Sequence, residues 1–287
     1  MKHKMIISSL SLVLTFSSYQ TTMAQSKVDK LPTILDGSSH FPYDIELKPW
    51  NETNKIIPTG EIFEVIDRKT GLIFQVQRRA GSQHADVQPL TETDTAIMKA
   101  IYNGKWSWKR RAIYIKKGKH MIAASMHGMP HGAGALSNNF PGHFCIHLPG
   151  STVHTTDKED PTHQLMILKA AGKLDDYLNN ATSEEMAEVF THAVNQEDFT
   201  ILRKTIIEDI NKKKLDRLVL IDPVKVQQEH EPTSILKVEF PVKVHYMTGS
   251  GQERKKTNVT VYRDSITARW YIDINELFHK LGMNDKA

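Results

Sequence analysis

Cysteine is almost absent from this chain of 287 residues, which has a single one, Cys145. One cysteine excludes an internal disulfide, so the fold cannot depend on a cross-linked scaffold. Excess charge is also low: the formal net charge is +4, which gives no electrostatic basis for binding nucleic acid, and no nucleic acid partner is expected. After the N-terminal segment, no apolar run approaches the length of a transmembrane helix.

The N-terminal segment has the order of an export signal. Lys2 and Lys4 come first, followed by the apolar run MIISSLSLVLTF and then by small or polar residues ending in TTMAQ. This order predicts a signal peptide over residues 1–24 and a secreted protein without a transmembrane anchor. Cleavage would remove both lysines and lower the net charge from +4 to +2. Residues 25–45 are polar, contain scattered prolines, and are typical of a tether.

Residues 46–178 are rich in strand patterns. Alternating runs on either side of DRKTG predict a hairpin, and the segments RAIYI and MIAASM predict two further strands joined by the turn KKGK. Between these pairs, Thr91 stands three residues before Asp94, a capping-box pattern that begins a helix. Asp160 and Pro161 begin another helix, whose apolar positions continue to residue 178.

Residues 182–287 predict helices followed by an antiparallel sheet. Thr182 with Glu185 begins one helix, and EDFTILRKTIIEDI predicts the next. The strand patterns ILKVEFPVKVHYM, KKTNVTVYR and ARWYIDI follow, and Pro241 favours an edge position or a bulge. The element order resembles that of NTF2-like accessory domains. The expected fold is therefore α+β, with a β-rich domain over residues 46–178 followed by a smaller domain, NTF2-like in its element order, over residues 182–287.

Histidine is concentrated around the single cysteine. Seven of the fourteen histidines fall within one stretch of 44 residues: His120, His127, His131, His143, His147, His154 and His163. Three interpretations stay open: a zinc site of imidazole and thiolate ligands, a set of inert buried side chains, or a thiol nucleophile with an imidazole base. Alternation along a strand places His143, Cys145 and His147 on one face.

The segment HGMPHGAGALSNNFPGHFCIH resembles the signature of the L,D-transpeptidases (the YkuD-type catalytic domain). That signature has His-Gly, a loop, and then Ser/Thr-His-Gly-Cys-X-Asn/Arg. Here 14 residues separate His127 from Gly142, a spacing within the family's range. The chain differs from the signature at Gly142, Phe144 and His147. Over its greater length it also resembles a group of secreted proteins from Gram-positive bacteria.

The resemblance implies a secreted thiol acyltransferase that acts on peptidoglycan stem peptides without a cofactor or a metal. Cys145 would be the nucleophile, His127 its base, and His143 the residue that orients the thiol. A backbone N–H near the cysteine would hold the oxyanion. The implied substrate-binding residues are Gly128, His131, Gly142, Phe144 and His147. The alternative function is that of a non-catalytic or zinc-binding extracellular wall-associated protein.

Two further stretches have chemical interest. QRRAGSQHADVQPL places His84 and Asp86 after a strand, either as an acid that orients a catalytic histidine or, as we expect from the turn residues, as a capped turn. KWSWKRR interleaves Trp106 and Trp108 with basic residues, a pattern that suits either a grip on wall polymer or a strand anchored to the core.

Overall fold

The computed structural model describes residues 44–153, 157–222 and 234–283. The predicted signal peptide, nearly all of the predicted tether and His154 lie outside these residues. The described helices are α1 Trp50–Ile56, α2 Glu92–Ile101, α3 Pro161–Ala170, α4 Leu174–Asn180, α5 Ser183–Asn195, α6 Phe199–Lys204, α7 Lys212–Leu215 and α8 Ile274–Lys280. The described strands are β1 Ile62–Asp67, β2 Ile73–Ala80, β3 Ala85–Pro89, β4 Arg110–Lys117, β5 His120–His127, β6 Phe144–His147, β7 Leu218–Ile221, β8 Lys237–Thr248, β9 Gly251–Tyr262 and β10 Tyr271–Ile272. The fold is α+β.

The first six strands form a closed antiparallel barrel in the order β1-β2-β3-β6-β5-β4. The predicted hairpin around DRKTG is confirmed as β1 and β2, and the strands joined by KKGK are confirmed as β4 and β5. Pairing of β4 with β1 closes the barrel, so none of its six strands is left as an edge. Helix α2 connects β3 to β4, and the predicted capping box of Thr91 and Asp94 is present at its start.

The two faces of the barrel wall have different partners, because successive side chains of a strand point to opposite sides. The inner face supplies an apolar core that includes Val65, Phe74, Val87, Ile113 and Phe144. The outer face of β4 and β5 is also apolar, and it belongs to a second core cluster with residues of α3, α5 and the C-terminal sheet. The outer face of β3 and β6 is different, since its side chains are polar.

The C-terminal sheet has four antiparallel strands in the order β10-β9-β8-β7. Helices α5 and α8 pack against it through buried residues such as Phe190 and Phe278. Pro241 in β8 pairs with Asn258 of β9, while β7 pairs with β8 only from Val244 to Tyr246. Within the described residues, Pro241 therefore has a ladder partner on one side only, which agrees with its predicted edge position.

The helix predicted from Pro161 to residue 178 is wrong in its length. The chain forms two helices, α3 and α4, with a turn at residues 171–173. Gly172 has a φ of 69°, a left-handed conformation that ends helices and that glycine adopts without steric cost. The predicted start is confirmed, because the Asp160 carboxylate caps α3 through the amides of Thr162 and His163.

The capping box of Thr182 and Glu185 is also confirmed, at the start of α5. The outer barrel face, helices α3 to α6 and the C-terminal sheet share one hydrophobic cluster, and the division into residues 46–178 and 182–287 stays a prediction. Among the described helices, none combines the length and the apolar character needed to cross a membrane.

Candidate functional site: a thiol among histidines on the outer wall of the barrel

The site lies where β3, β5 and β6 run side by side. In the β3–β6 pair, Asp86 lies opposite Cys145. In the β5–β6 pair, Met126 lies opposite Ile146, and the same register places His127 opposite Cys145. Phe144 and Ile146 point into the barrel core, so alternation turns Cys145 and His147 to the outer face, as predicted.

A backbone bridge brings His131 back to this strand. The amide of His131 donates to the carbonyl of His143 at 2.9 Å, and the amide of His143 donates to the carbonyl of His131 at 2.8 Å. Gly142 is needed for this approach: its φ is 129°, and a Cβ there would lie 2.5 Å from the His131 carbonyl oxygen. The loop from 128 to 142 is thereby folded over the face that carries the cysteine.

The thiol of Cys145 has two hydrogen-bonding neighbours in the described structure. Its sulfur lies 3.3 Å from Nε2 of His131 and 3.5 Å from Oδ1 of Asp86. The cysteine is 5% exposed and His131 is half-buried. The sulfur is therefore buried but has polar neighbours on the outer face of the barrel wall.

The hydrogen bonds of His131 fix which of its nitrogens can accept a proton. Nδ1 lies 3.2 Å from the carbonyl oxygen of Met129. A carbonyl only accepts, so Nδ1 carries the hydrogen and Nε2 of the neutral ring has its lone pair directed at the thiol. Burial lowers the pKa of His131, as do the nearby His143 and His84. The ring is thus a neutral base at neutral pH.

Asp86 is held as a carboxylate by a second histidine. His84 is 1% exposed; its Nε2 lies 3.1 Å from Oδ1 of Asp86 and its Nδ1 lies 2.8 Å from the carbonyl oxygen of Thr152. Both neighbours are oxygen atoms that accept hydrogen bonds. Burial alone raises the pKa of Asp86, but the hydrogen bond and charge of His84, with His143 and the thiol, bring it to about 2.

The same carboxylate opposes ionisation of the cysteine. Burial raises the pKa of the Cys145 thiol well above its usual value, and the negative charge of Asp86 raises it further. The resting group is therefore a neutral thiol, and a reaction through this sulfur requires transfer of its proton to His131 during attack.

A column of stacked imidazoles continues from the thiol into the protein. His147 stacks on His84 with ring centroids 4.6 Å apart and on His163 of α3 at 3.9 Å. Burial and His84 lower the pKa of His147 to about 3, while burial and His147 hold the pKa of His163 well below its usual value. Nδ1 of His163 contacts the hydroxyl of Ser125 at 2.8 Å, whereas buried Nδ1 of His147 has no hydrogen-bond partner in the described structure.

Trp108 packs against the two histidines nearest the thiol. Its ring centroid lies 4.7 Å from that of His127 and 5.5 Å from that of His131. It is 50% exposed and is the only aromatic residue among the exposed large hydrophobic side chains of the described structure. Trp106, by contrast, packs edge-on against Phe140. The two tryptophans of KWSWKRR thus take different roles, one in the core and one at the site.

The three histidines predicted near Cys145 lie at different positions relative to its thiol. His131, expected to bind substrate, makes the hydrogen bond to the thiol that was predicted for His127 or His143. His127 lies nearby: its ligand nitrogen, that of His131 and the Cys145 sulfur are all within 4.8 Å of one another. His143 lies at the rim, with Nδ1 3.1 Å from the carbonyl oxygen of Ala133 and Nε2 3.8 Å from Asp86.

Three other predicted residues act on the shape of the site. The Phe144 ring is fully buried in the barrel, so its side chain does not face the thiol. A Cβ at Gly128 would lie 2.4 Å from the Tyr102 ring, so this glycine permits close packing. The amides of Gly142 and His143 are already hydrogen-bonded, to Phe140 and His131, and are not free oxyanion donors.

Sequence reasoning underestimated His84 and Asp86, which form the polar pair behind the thiol and not a capped turn alone. The available signal was their alternate spacing, which places both on one strand face. Among the residues that the structure describes, two groups of side chains have donor atoms close enough to hold a metal ion: His84, Cys145 and His147, and His127, His131 and Cys145. Comparisons with protein-family models, with curated proteins and with solved structures found no significant match for this chain.

Proposed function

We propose that this protein is a cysteine-dependent acyltransferase in which Cys145 is the nucleophile and His131 the general base. The observation that supports this most directly is the 3.3 Å separation between the Cys145 sulfur and Nε2 of His131. It is supported further by the bond from Nδ1 of His131 to Met129, which leaves Nε2 unprotonated toward the sulfur.

The reaction follows from this arrangement. As the sulfur attacks the carbonyl carbon of a peptide bond, the thiol proton moves to Nε2 of His131. When the C–N bond breaks, that proton passes to the leaving amine, and a thioester to Cys145 remains. An incoming amine then attacks the thioester and gives its proton to His131, which returns it to the sulfur. Water in place of the amine gives hydrolysis.

Asp86 and His84 have a supporting role in this scheme. A positive charge develops on His131 when it accepts the proton, and the carboxylate of Asp86, whose charge favours protonated His131, stabilises that state. The same charge keeps the resting sulfur protonated. The thiol is therefore stable in the absence of substrate and is activated only within the reaction.

The proposed substrate is a peptidoglycan stem peptide, cleaved at a carbonyl next to a D-amino acid. The resemblance of the segment from His127 to His147 to the L,D-transpeptidase signature supports this class, as does the export signal predicted for residues 1–24. In this proposal the protein acts at the cell wall. In this proposal the helix-then-sheet part from residue 182 is a smaller NTF2-like accessory domain.

An exchange assay tests the proposal. The full chain is incubated with a stem tetrapeptide and an isotopically labelled D-amino acid, and products are followed by mass spectrometry. We expect release of the terminal D-amino acid, with or without incorporation of the label, and loss of both reactions in Cys145→Ala. If metal-free wild-type protein releases nothing and each chain binds one zinc ion, the alternative of a zinc-binding wall protein is favoured.

A further inference from the structure

We infer that the catalytic thiol is also a ligand of a regulatory zinc site, in which Zn²⁺ bound by Cys145, His127 and His131 blocks acyl transfer. The inhibitory role rests on the proposed function, whereas the metal site itself does not. In the proposed reaction His131 is the base and His127 has no role. In the zinc site His127 is a metal ligand.

The donor atoms have the spacing that zinc requires. A tetrahedral zinc ion places a thiolate sulfur and an imidazole nitrogen about 3.6 Å apart. The sulfur and Nε2 of His131 are 3.3 Å apart, and the three donor atoms of the group lie within 4.8 Å of one another. Small side-chain rotations are therefore enough to form three of the four bonds, and the fourth position is left for water.

The register of the barrel strands brings these donors together. His127 is the last residue of β5 and lies opposite Cys145, and the bridge between His131 and His143 places the second imidazole beside both. The ring of His127 accepts a hydrogen bond from the Met129 amide at 3.4 Å, a long bond that costs little to give up. Trp108 packs against both rings and shields a bound ion from solvent on that side.

The donor set is chemically suited to zinc. Imidazole and thiolate are the ligands that zinc shares with other soft or borderline metals. His127 is 4% exposed, and burial together with His131 keeps its pKa well below the usual value, so no proton has to leave this ring before the metal binds. The thiol proton is released on binding, which makes zinc affinity rise with pH.

The second group that shares Cys145 is less suitable. Both nitrogens of His84 already face oxygen atoms: Nδ1 lies 2.8 Å from the Thr152 carbonyl and Nε2 lies 3.1 Å from the Asp86 carboxylate. Ligation by this ring would break its contact with the carboxylate. In its favour, His147 has a buried nitrogen without a hydrogen-bond partner in the described structure. The experiment therefore includes a variant of each group.

Bound zinc would stop the proposed reaction at its first step. The lone pair of His131 that accepts the thiol proton would be directed at the metal, and the sulfur lone pair that attacks the carbonyl would be shared with it. We therefore expect the protein to catalyse acyl transfer at low zinc concentration and to be inactive at high zinc concentration, with the same fold in both states.

The test is a zinc titration of the full chain, freed of metal with a chelator and then dialysed. Native mass spectrometry counts bound zinc, and the rate of alkylation by iodoacetamide measures access to the thiol. We expect one zinc per chain and at least tenfold slower alkylation. His127→Ala is expected to weaken zinc binding by about tenfold or more and to abolish protection, while His147→Ala and His279→Ala, a variant at an exposed position of helix α8, behave as the wild type.

Each outcome bears on the inference. No zinc bound, or full retention by His127→Ala, overturns it, and loss in His147→Ala instead moves the site to the second group. The exchange assay is run on the metal-free protein, so failure of the acyltransferase proposal is seen separately. If zinc binds as expected but metal-free protein does not exchange, the site stands and only its inhibitory role fails. Circular dichroism confirms that each variant is folded.

Discussion

The carboxylate of Asp86 lies 3.5 Å from the Cys145 sulfur, across a strand pair that joins residues 59 positions apart in the chain. A negative charge at this distance favours the protonated thiol. His84 at 3.1 Å and His143 at 3.8 Å also lie close to the Asp86 carboxylate. Asp86 therefore has two effects. Its charge keeps the resting thiol of Cys145 protonated and unreactive, and it stabilises His131 once that ring has accepted a proton.

Replacing this carboxylate should make the thiol more reactive toward simple reagents. In Asp86→Asn the repulsion that raises the Cys145 pKa is removed, and more thiolate is present at neutral pH. We expect iodoacetamide to alkylate the variant several-fold faster than the wild type at pH 7, whereas the exchange reaction slows because protonated His131 is less stable. Equal or slower alkylation in the variant would contradict this assignment. Asp157→Asn, at an exposed loop, is the control.

His127 and His131, on either side of Pro130, should contribute differently to the rate of the exchange reaction. His131→Asn removes the nitrogen next to the sulfur and is expected to lower the rate of exchange by about 10²–10⁴-fold, the usual contribution of a general base. His127→Asn should lower it by less than about tenfold when zinc is absent. A larger loss in the His127 variant would restore the assignment that the sequence resemblance implies.

Trp108 should act on substrate binding. Its half-exposed ring lies over His127 and His131, so truncation removes a contact surface without altering the hydrogen bonds of the thiol. We expect Trp108→Ala to raise KM several-fold with a smaller effect on kcat, and Trp108→Phe to restore part of the loss. Trp106→Phe, in the packed layer next to Phe140, should instead change thermal stability. An unchanged KM in Trp108→Ala would remove this residue from the binding surface.

Ionisation of Asp160, the N-cap of helix α3, should make the stability of the fold depend on pH. Its carboxylate accepts hydrogen bonds from the amides of Thr162 and His163 and pairs with Arg110 at 2.6 Å. Burial works against ionisation, but Arg110 and these bonds lower the pKa of Asp160 below its usual 3.8. A depressed pKa stabilises the fold above about pH 4, and this stabilisation is lost as the pH falls through the lower folded-state value.

Two variants separate the charge of Asp160 from its cap. Asp160→Asn keeps a good N-cap but loses the charge, and we expect it to lower the free energy of unfolding by about 1–3 kcal/mol at pH 7. Asp160→Ala should cost about 1 kcal/mol more, because the cap is also lost. Urea unfolding at pH 7 and pH 3 checks this. A deficit in Asp160→Asn that is as large at pH 3 as at pH 7 would show that the charge is not responsible.

Local patterns predicted most of the elements of this fold. The caps at Thr91, Asp160 and Thr182 depend on residues within one helical turn, and hairpins depend on short turns, so their signals are contained in a few neighbouring letters. The length of the helix after Pro161 was overestimated because its apolar spacing continues past Gly172. The left-handed turn at that glycine overrides the spacing.

The site was predicted only where it depends on alternation. The common face of Cys145 and His147 follows from the period of a strand. The partnership of Asp86 with Cys145 follows from the pairing of β3 with β6, which no local pattern specifies. The choice between His127 and His131 depends on the backbone bridge to His143, and Pro130 between them gives no regular period from which to predict it.

The most direct test of the account is the mass of the intact protein after exposure to a carbapenem, an acylating agent that requires a reactive nucleophile. We predict one covalent adduct per chain, located on the peptide that contains Cys145, absent from Cys145→Ala and formed far more slowly by His131→Asn. An unmodified wild-type protein, or an adduct that persists in Cys145→Ala, would contradict the central claim that this sulfur and this imidazole form a catalytic pair.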